Sequence, residues 1–366
     1  AALNLFTQYV LYFYLFICIV LLLYNVHYLN RIRRRARGHA RRKRRWELDV
    51  WAVDTGIVAP QKLLWYMRRT ENLLVFNEVM SVKIMTRPQE VHTFFLEHTA
   101  EFRAQAREYG RKPAMERAFF AYVVASYHPP LADEYDPLVE TLLGYLDSST
   151  VYCRENVLSA LYALGSCQGV EHVYSILNEW GWFHSPKLLS DGMMRFAGDK
   201  ETLVRRLWQH RREWDEALVT AVVQFAAMLP GDDFAPPFLN ALEREKLPLE
   251  LRFSLVRYFQ RHACPQAEPM LLRLMEVHTG EQGQLAIAAA ASLSAYRSPA
   301  ARQALKDALH SRNWHIRYNA AASLGRLGLD GDEVEEIRAS GDRYAMEMLD
   351  YALPTQPAHA RERARV

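Results

Sequence analysis

Positions 1–30 contain no Asp, Glu, Lys or Arg, whereas two thirds of positions 31–45 are Lys or Arg. A helix needs about 20 apolar residues to cross a bilayer, and that length is exceeded by the run LFTQYVLYFYLFICIVLLLYNVHYL. Lys and Arg close to a membrane span stay on the cytoplasmic side. The sequence therefore predicts a single transmembrane helix over positions 1–30, with its N-terminus outside and the rest of the chain in the cytoplasm.

A cleaved signal peptide fits this pattern poorly, because it carries its positive charge before a shorter apolar core of about 7–15 residues. We expect the basic residues of the juxtamembrane segment, positions 31–45, to fix the topology and to contact anionic lipid headgroups. Trp46 is expected at the inner membrane interface. The basic residues are Arg31, Arg33, Arg34, Arg35, Arg37, Arg41, Arg42, Lys43, Arg44 and Arg45.

The charge of the remaining chain has the opposite sign to that of the whole chain, which is +3. Since ten of the 45 basic residues lie in the juxtamembrane segment, the other 35 are outnumbered by 42 acidic residues, a net charge of −7. A body that binds nucleic acid normally carries a basic patch, so no nucleic-acid partner is expected. Four cysteines without CxxC spacing are interpreted as thiols of a cytoplasmic protein.

Beyond position 45 the hydrophobic pattern is helical throughout. Apolar residues recur three and four apart in AMERAFFAYVVASY and DEALVTAVVQFAAML. Asp136 before Pro137 and Ser298 before Pro299 are predicted helix N-caps. The prolines predicted to begin helices are Pro60, Pro88, Pro113, Pro137, Pro248, Pro269 and Pro299. The sequence predicts an all-α body.

The helical pattern also repeats. The run SSTVYCRENVLSALYALG at 148–165 agrees with SRNWHIRYNAAASLGRLG at 311–328 in six of eighteen positions. The run QLAIAAAASL at 284–293 shares AAASL with HIRYNAAASL at an offset of 31, and Arg252 stands before Ala286 at an offset of 34. Such a period, with two helices per unit, is typical of an α-solenoid.

The first-helix prolines, the Ile316-Arg317 pair and the following AAASLGRLG resemble the HEAT-repeat family, especially its short bacterial form, which includes PBS-lyase-like repeats. The resemblance implies helical hairpins whose second helices line a concave face. It is clearest at 137–165 and 281–328. We therefore expect a helical or capping region at 46–136, a HEAT-like solenoid at 137–352, and a disordered tail at 353–366.

Enzymatic motifs are missing from the sequence. None of the thirteen His residues is followed by Glu, the pair that iron-dependent hydroxylases of this architecture use, and no HExxH, GxSxG, P-loop or GxGxxG motif occurs. We predict no catalytic residue, no metal and no cofactor, and a protein that is not an enzyme. A lyase-like HEAT enzyme remains an alternative, since related short repeats occur in bilin lyases.

Two sets of residues stand out from the repeat pattern. One set, Arg154, Arg252 and Arg317, is interpreted as structural, because a guanidinium can bind the carbonyl or carboxylate groups of neighbouring turns. The other set is expected either to be exposed and bind a partner, because loops on a rigid body and aromatic rings are typical of interfaces, or to fill gaps between irregular repeats. This candidate set consists of Trp180, Trp182, Phe183, Phe234 and Phe238.

The sequence thus predicts a single-pass protein of a bacterial inner membrane with an all-α, HEAT-like cytoplasmic solenoid. It is expected to act as a scaffold or regulatory subunit for an integral membrane protein, for example an accessory subunit of a polysaccharide-synthesising glycosyltransferase or of a transporter. A sensor of anionic lipid that uses the basic residues is the second alternative.

Overall fold

The computed structural model describes residues 2–54, 60–276 and 280–352. Over these residues the chain is helical and contains no strand. The predicted all-α fold is confirmed, with one apolar N-terminal helix followed by helices that pack against their sequence neighbours. The predicted disordered tail, 353–366, lies outside the described residues.

The chain divides into two compact units, Ala1–Gly169 and Val170–Val366. This division falls inside the predicted solenoid, 137–352, and does not coincide with either of its predicted ends. The domain boundaries at 136 and 352 therefore stay predictions. One helix, α9 (Cys167–Glu179), runs across the division. The described helices of the first unit are α1 (Ala2–Asp54), α2 (Pro60–Met67), α3 (Thr70–Thr86), α4 (Pro88–Glu97), α5 (Thr99–Gly110), α6 (Ala114–Tyr127), α7 (Pro137–Leu143), a 3₁₀ helix (Gly144–Leu146) and α8 (Val151–Leu164).

Helix α1 is 53 residues long and includes both the predicted span and the basic segment. Its stretch Leu11–Leu48 is long and apolar enough to cross a membrane, by length and composition. The apolar side chains described within it are largely exposed to the surroundings, as lipid contact would require. The juxtamembrane segment is therefore a continuation of the same helix.

The last turns of α1 pack on α3. Trp46 is 5% exposed, and its ring meets the edge of Phe76 with 5.9 Å between centroids. Trp46, expected at a membrane interface, is a core residue of the first unit, and its place relative to a membrane stays a prediction. At 1.5 Å per residue Trp46 lies roughly 24 Å beyond Asn30 along the helix, and burial against α3 removes the indole from water there.

The predicted local signals are confirmed where helices begin. Asp136 accepts a hydrogen bond from the Leu138 amide at 2.8 Å, and Ser298 accepts one from the Ala301 amide at 2.9 Å. Asp136 is also held by the guanidinium of Arg103. All seven prolines expected to begin helices lie at the N-cap or within the first two helical positions.

The second unit has two layers of helices. Each even-numbered helix packs against the next even-numbered one, and the odd-numbered helices pack on this row as an outer layer. These helices are α10 (Pro186–Met193), α11 (Lys200–Gln209), α12 (Glu216–Ala226), α13 (Ala235–Arg244), α14 (Leu249–Arg261), α15 (Glu268–Met275), α16 (Gly280–Ser292), a 3₁₀ helix (Leu293–Ala295), α17 (Pro299–Ala308), α18 (Trp314–Leu327), α19 (Gly331–Ala339) and α20 (Arg343–Ala352).

Small residues let the even-numbered helices approach closely. Ala289 and Ala290 on α16 are fully buried. The Ser292 hydroxyl donates to the Val256 carbonyl of α14 at 2.9 Å, and the Ser323 hydroxyl of α18 donates to the Ala290 carbonyl at 2.8 Å. Buried hydroxyls need such partners, so these two bonds fix the spacing of α14, α16 and α18.

Candidate protein-binding groove

Five even-numbered helices of the second unit, α10 to α18, line a groove of about 920 Å³. Neighbouring helix axes lie about 8–10 Å apart, so the groove runs roughly 35 Å across them. An extended chain advances about 3.3 Å per residue, and a segment of about ten residues would follow it from end to end. We call this surface the groove. Its apolar lining includes Met228, Ile287 and Ala291.

The charged residues that line the groove are cationic. They are Lys187, Arg257 and Arg261, and no carboxylate belongs to the described lining. Arg257 is exposed, lies 5.8 Å from the centre of the Phe253 ring, and forms no ion pair with any described residue. Arg261 donates to the Ala227 carbonyl at 3.4 Å. Lys187 pairs with Asp191 one turn further along α10.

The groove also carries a row of side-chain amides, from Gln224, Gln260, Gln284 and Asn319. Gln260 donates to the Ala291 carbonyl at 3.1 Å, and Asn319 donates to the His315 carbonyl at 2.8 Å. The Oε1 atom of Gln224 is buried and has no hydrogen-bond partner among the described residues. Primary amides both donate and accept, so this row matches the two groups of a peptide backbone.

Burial raises the pKa of the Tyr258 phenol, which also lines the groove. Nearby acidic side chains, Asp232 and Asp233, act in the same direction. Tyr258 therefore stays neutral at physiological pH and does not offset the positive charge of the groove.

Residues that line the groove recur at the offsets of 31 and 34 residues found in the sequence repeat. Ser254 stands before Ala288 at an offset of 34, and Ala288 stands before Asn319 at an offset of 31. The same offset of 34 joins Ala227 to Arg261. Sequence reasoning did not single out these residues, because it searched the repeats for shared residues. The recurrence of positions at the repeat offsets was the signal available.

Of the predicted partner-binding residues, three form an exposed loop between α9 and α10. Trp180 is 59% exposed and Phe183 is 80% exposed, whereas Trp182 is half-buried. The two indole rings lie 5.2 Å apart. Gly181 has a φ of 62°, a left-handed conformation that favours glycine. We call Trp180, Trp182 and Phe183 the tryptophan loop. The groove lining does not include it.

The other two predicted partner-binding residues, Phe234 and Phe238, are buried, at 6% and 0% exposed. The expectation of an exposed, partner-binding pair is wrong for these two residues, and their burial agrees with the alternative, that the rings fill gaps between helices. The run APP between them forms the first turn of α13, where proline is tolerated, so their i,i+4 spacing puts both rings on one face of a helix. Phe238 packs against Trp208 and Tyr258, with ring centroids 4.6 and 4.9 Å apart.

Two of the three repeat arginines bind backbone carbonyls of turns. Arg154 donates to the Ser149 carbonyl at 3.3 Å, and Arg317 donates to the Ser311 carbonyl at 2.9 Å, each in the turn just before its own helix. Arg252 is half-buried, and its side chain makes no hydrogen bond or ion pair in the described part of the chain. Burial lowers the pKa of the Arg154 guanidinium.

The side chain that ties one helical pair to the next in the first unit was missed by sequence reasoning. Arg117 on α6 donates to the Asp147 carbonyl, 2.8 Å away in the turn before α8. Arg117 and Arg154 occupy the same position, the fourth residue of their helices. The residues around Arg117 differ from those around Arg154, so a comparison of the two sequences does not align the two arginines. Counting residues from the start of each helix would have aligned them.

The juxtamembrane basic residues fall into two groups. Arg42 pairs with Glu71 at 3.0 Å, and Lys43 lies 3.6 Å from Glu78, both on α3. Nearer the span, the described side chains at 31, 33, 34 and 37 are exposed. Arg41, Arg44 and Arg45 are exposed as well, and the side chain of Arg35 lies outside the described residues. Lipid contact stays a prediction, and the exposed group nearest the span is best placed for it.

No group of three or more His, Cys, Asp or Glu side chains that could hold a metal ion occurs within the described ranges. Three cysteines described there, Cys153, Cys167 and Cys264, are buried thiols, and Cys18 is exposed on α1. Burial raises the pKa of the Cys153 thiol, which lowers its reactivity.

No protein-family model matches this chain, and no curated protein matches it. The fold and the groove thus define the molecule by class: an all-α protein of sequentially packed helices, with one N-terminal helix long and apolar enough to span a membrane. Its resemblance to HEAT repeats stays a prediction.

Proposed function

We propose that this protein is a membrane-anchored helical scaffold whose groove binds an extended, acidic segment of a partner protein. The observation that carries the proposal is the charge of the groove. The chain beyond position 45 is net acidic, yet the described groove lining has three cationic side chains and no carboxylate. Complementary charge favours encounter with the correct partner and disfavours wrong ones.

The row of amides supports an extended occupant over a folded one. Gln224, Gln284 and Asn319 come from three different helices along the groove, so a chain that crosses these helices meets amides at intervals. Leaving a buried acceptor such as Gln224 Oε1 without a partner costs about 1–3 kcal/mol. A donated peptide N–H would remove that cost.

The apolar part of α1 supports the anchor. We place the helix in a bacterial inner membrane with its N-terminus outside, because ten basic residues follow the apolar run. A shared membrane raises the effective concentration of a membrane partner, so a modest affinity of the groove suffices. The HEAT-like identity of the helical pairs is part of the same proposal.

Binding to a defined acidic peptide tests the groove. The probe is a fluorescein-labelled dodecapeptide of alternating Glu and Thr, and fluorescence anisotropy measures its Kd for the full-length protein in detergent. We expect the double variant Arg257→Glu, Arg261→Glu to weaken binding about tenfold or more, a loss of about 1.4 kcal/mol. An alternating Lys and Thr peptide should not bind.

The matched control is Arg244→Glu with Arg312→Glu, because both arginines are exposed in the second unit and lie outside the groove lining. It makes the same change of net charge. An equal loss of binding in the two double variants would mean that only the overall charge of the protein matters. That result would refute binding of the peptide in the groove.

The side of the membrane is tested by cysteine labelling. Met115 is 59% exposed on α6, and Met115→Cys introduces an accessible thiol into a body whose described native thiols are buried. A membrane-impermeant maleimide should label this variant only after the cells are opened. Labelling in intact cells would refute the proposed orientation.

A further inference from the structure

A second concave site lies in the first unit, at the far end of α1 from the apolar run. It has a volume of about 630 Å³, in the range of small-molecule sites. Helices α1, α2 and α3 and the turn between α2 and α3 line it. We call it the arginine pocket, because four of its eight described lining residues are Arg42, Arg45, Arg68 and Arg69.

Two of the charges in the arginine pocket are uncompensated. Arg68 and Arg69 are exposed, and neither forms an ion pair or a side-chain hydrogen bond in the described ranges. Arg42 pairs with Glu71, whose carboxylate is 76% exposed and does not line the pocket. Guanidinium groups bind phosphate with paired N–H donors, so several of them around one cavity match a phosphorylated ligand.

The pocket also has aromatic rings. Trp65 lines it and is 60% exposed, although its ring meets the edge of Tyr66 at 5.3 Å between centroids. Arg45 lies 5.5 Å from the centre of the Tyr66 ring. Asn72 holds the turn by donating to the Tyr66 carbonyl at 2.9 Å. The exposed indole offers a surface on which a planar ring can stack, a contact worth about 1–3 kcal/mol for a base.

The position along α1 separates a soluble ligand from a lipid headgroup. Arg42 follows Asn30 by just over three helical turns, which is about 18 Å of helix. The headgroup layer on each side of a bilayer is only about 5–8 Å thick. With the span ending at Asn30, as in the proposed function on which this step rests, a helix tilted by about 40° would still carry Arg42 roughly 14 Å from the apolar core. That distance puts the pocket beyond the headgroups.

We propose that the arginine pocket binds a soluble nucleotide, with its phosphates on Arg68 and Arg69 and its base against Trp65. The proposal rests on the first unit alone and is independent of the groove. A nucleotide bound at the point where α1 meets α2 and α3 would stabilise that junction, because a ligand that binds only the folded state raises stability by an amount that grows with the logarithm of its concentration relative to Kd.

Isothermal titration calorimetry tests the proposal on the full-length protein in nanodiscs of phosphatidylcholine, with ATP as the probe. We expect ATP to bind, and Arg68→Gln with Arg69→Gln to weaken it at least tenfold. Arg41→Gln with Arg44→Gln is the matched control, because both arginines are exposed on α1 and neither lines the pocket. Trp65→Ala should weaken ATP several-fold and leave inorganic pyrophosphate unchanged.

The other arms separate the sources of phosphate. Absence of ATP binding, or the same affinity in the wild type and the Arg68, Arg69 variant, overturns the proposal. So does an equal loss in the Arg41, Arg44 double variant, which would indicate a diffuse charge effect. Abolition of ATP binding by phosphatidylglycerol in the nanodisc would assign the pocket to lipid headgroups and also overturn it, whereas retained binding supports it. Circular dichroism verifies that each variant is folded.

Discussion

The indole ring of Trp46 on α1 meets the ring of Phe76 on α3 edge to face, with 5.9 Å between the ring centroids. Both residues are buried, at 5% and 0% exposed. The helix that carries the apolar run is therefore also part of the core of the first unit. In its proposed role as a membrane anchor, α1 would hold that unit by side-chain packing as well as by the covalent chain.

Removing the indole should destabilise the first unit. Truncating a buried Trp to Ala costs about 3–5 kcal/mol, so we expect Trp46→Ala to lower the free energy of unfolding by about that amount in a urea titration. Leu48→Ala is the control, since Leu48 is 65% exposed on the same stretch of α1 and should change stability by no more than about 0.5 kcal/mol. Equal effects of the two changes would mean that Trp46 does not pack on α3.

The tie between α6 and the turn before α8 should be measurable by itself. Arg117→Ala removes a charged donor from the Asp147 carbonyl, and hydrogen bonds to charged groups contribute about 1.5–3 kcal/mol. We expect a loss of about 2 kcal/mol in the free energy of unfolding. Arg107→Ala, which changes an exposed arginine on α5, should have little effect, and a similar loss there would contradict the assigned role.

The two sets of aromatic residues should respond oppositely to truncation. Phe238→Ala removes a fully buried ring from between Trp208 and Tyr258 and is expected to cost about 3–5 kcal/mol. Trp180→Ala changes an exposed loop and should leave the melting temperature within about 2 °C. A large loss of stability in Trp180→Ala would contradict the exposure of the tryptophan loop.

Stability of the second unit should depend on pH through His210. Burial lowers the pKa of His210, but hydrogen bonds and charges from Glu171 and Glu213 outweigh it and raise the pKa above the ordinary value of 6.5. Protonated His210 is thus favoured in the folded state. The stabilisation of the folded state by protonated His210 is fully present below pH 6.5. It is lost as the pH rises through the raised pKa of His210.

We therefore expect His210→Gln to lower the melting temperature more at about pH 6 than at about pH 8.5, measured by circular dichroism. The control is His172→Gln, since His172 is exposed on α9 and takes no part in the ion pairs of His210. A larger effect of His210→Gln at high pH would reverse the sign of the argument and refute it.

Local signals carried most of what the sequence could predict. Asp136 and Ser298 cap the helices that begin at the following prolines, because capping depends on only three or four neighbouring residues. The repeat offsets likewise relate side chains along the groove, such as Ala288 and Asn319, since equivalent positions of stacked helices face the same way.

What the sequence could not predict depends on contacts between distant residues. Phe234 and Phe238 were expected in a loop, and only the packing of α13 on its neighbours buries them. Trp46 fits a membrane interface by residue type, and its burial depends on α3. Arg117 acts on a turn 30 residues later, a pairing that no local pattern contains.

Site-specific photo-crosslinking in native membranes tests the central claim most directly. The crosslinker is placed at Ile287 in the groove, and at Gln303, exposed on α17, as the control. We predict that Ile287 crosslinks to an acidic segment of an integral membrane protein, mapped by mass spectrometry. The adduct should be lost with Arg257→Glu, Arg261→Glu and kept with Arg244→Glu, Arg312→Glu. The same adduct from Gln303, or one that survives charge reversal in the groove, would contradict the account.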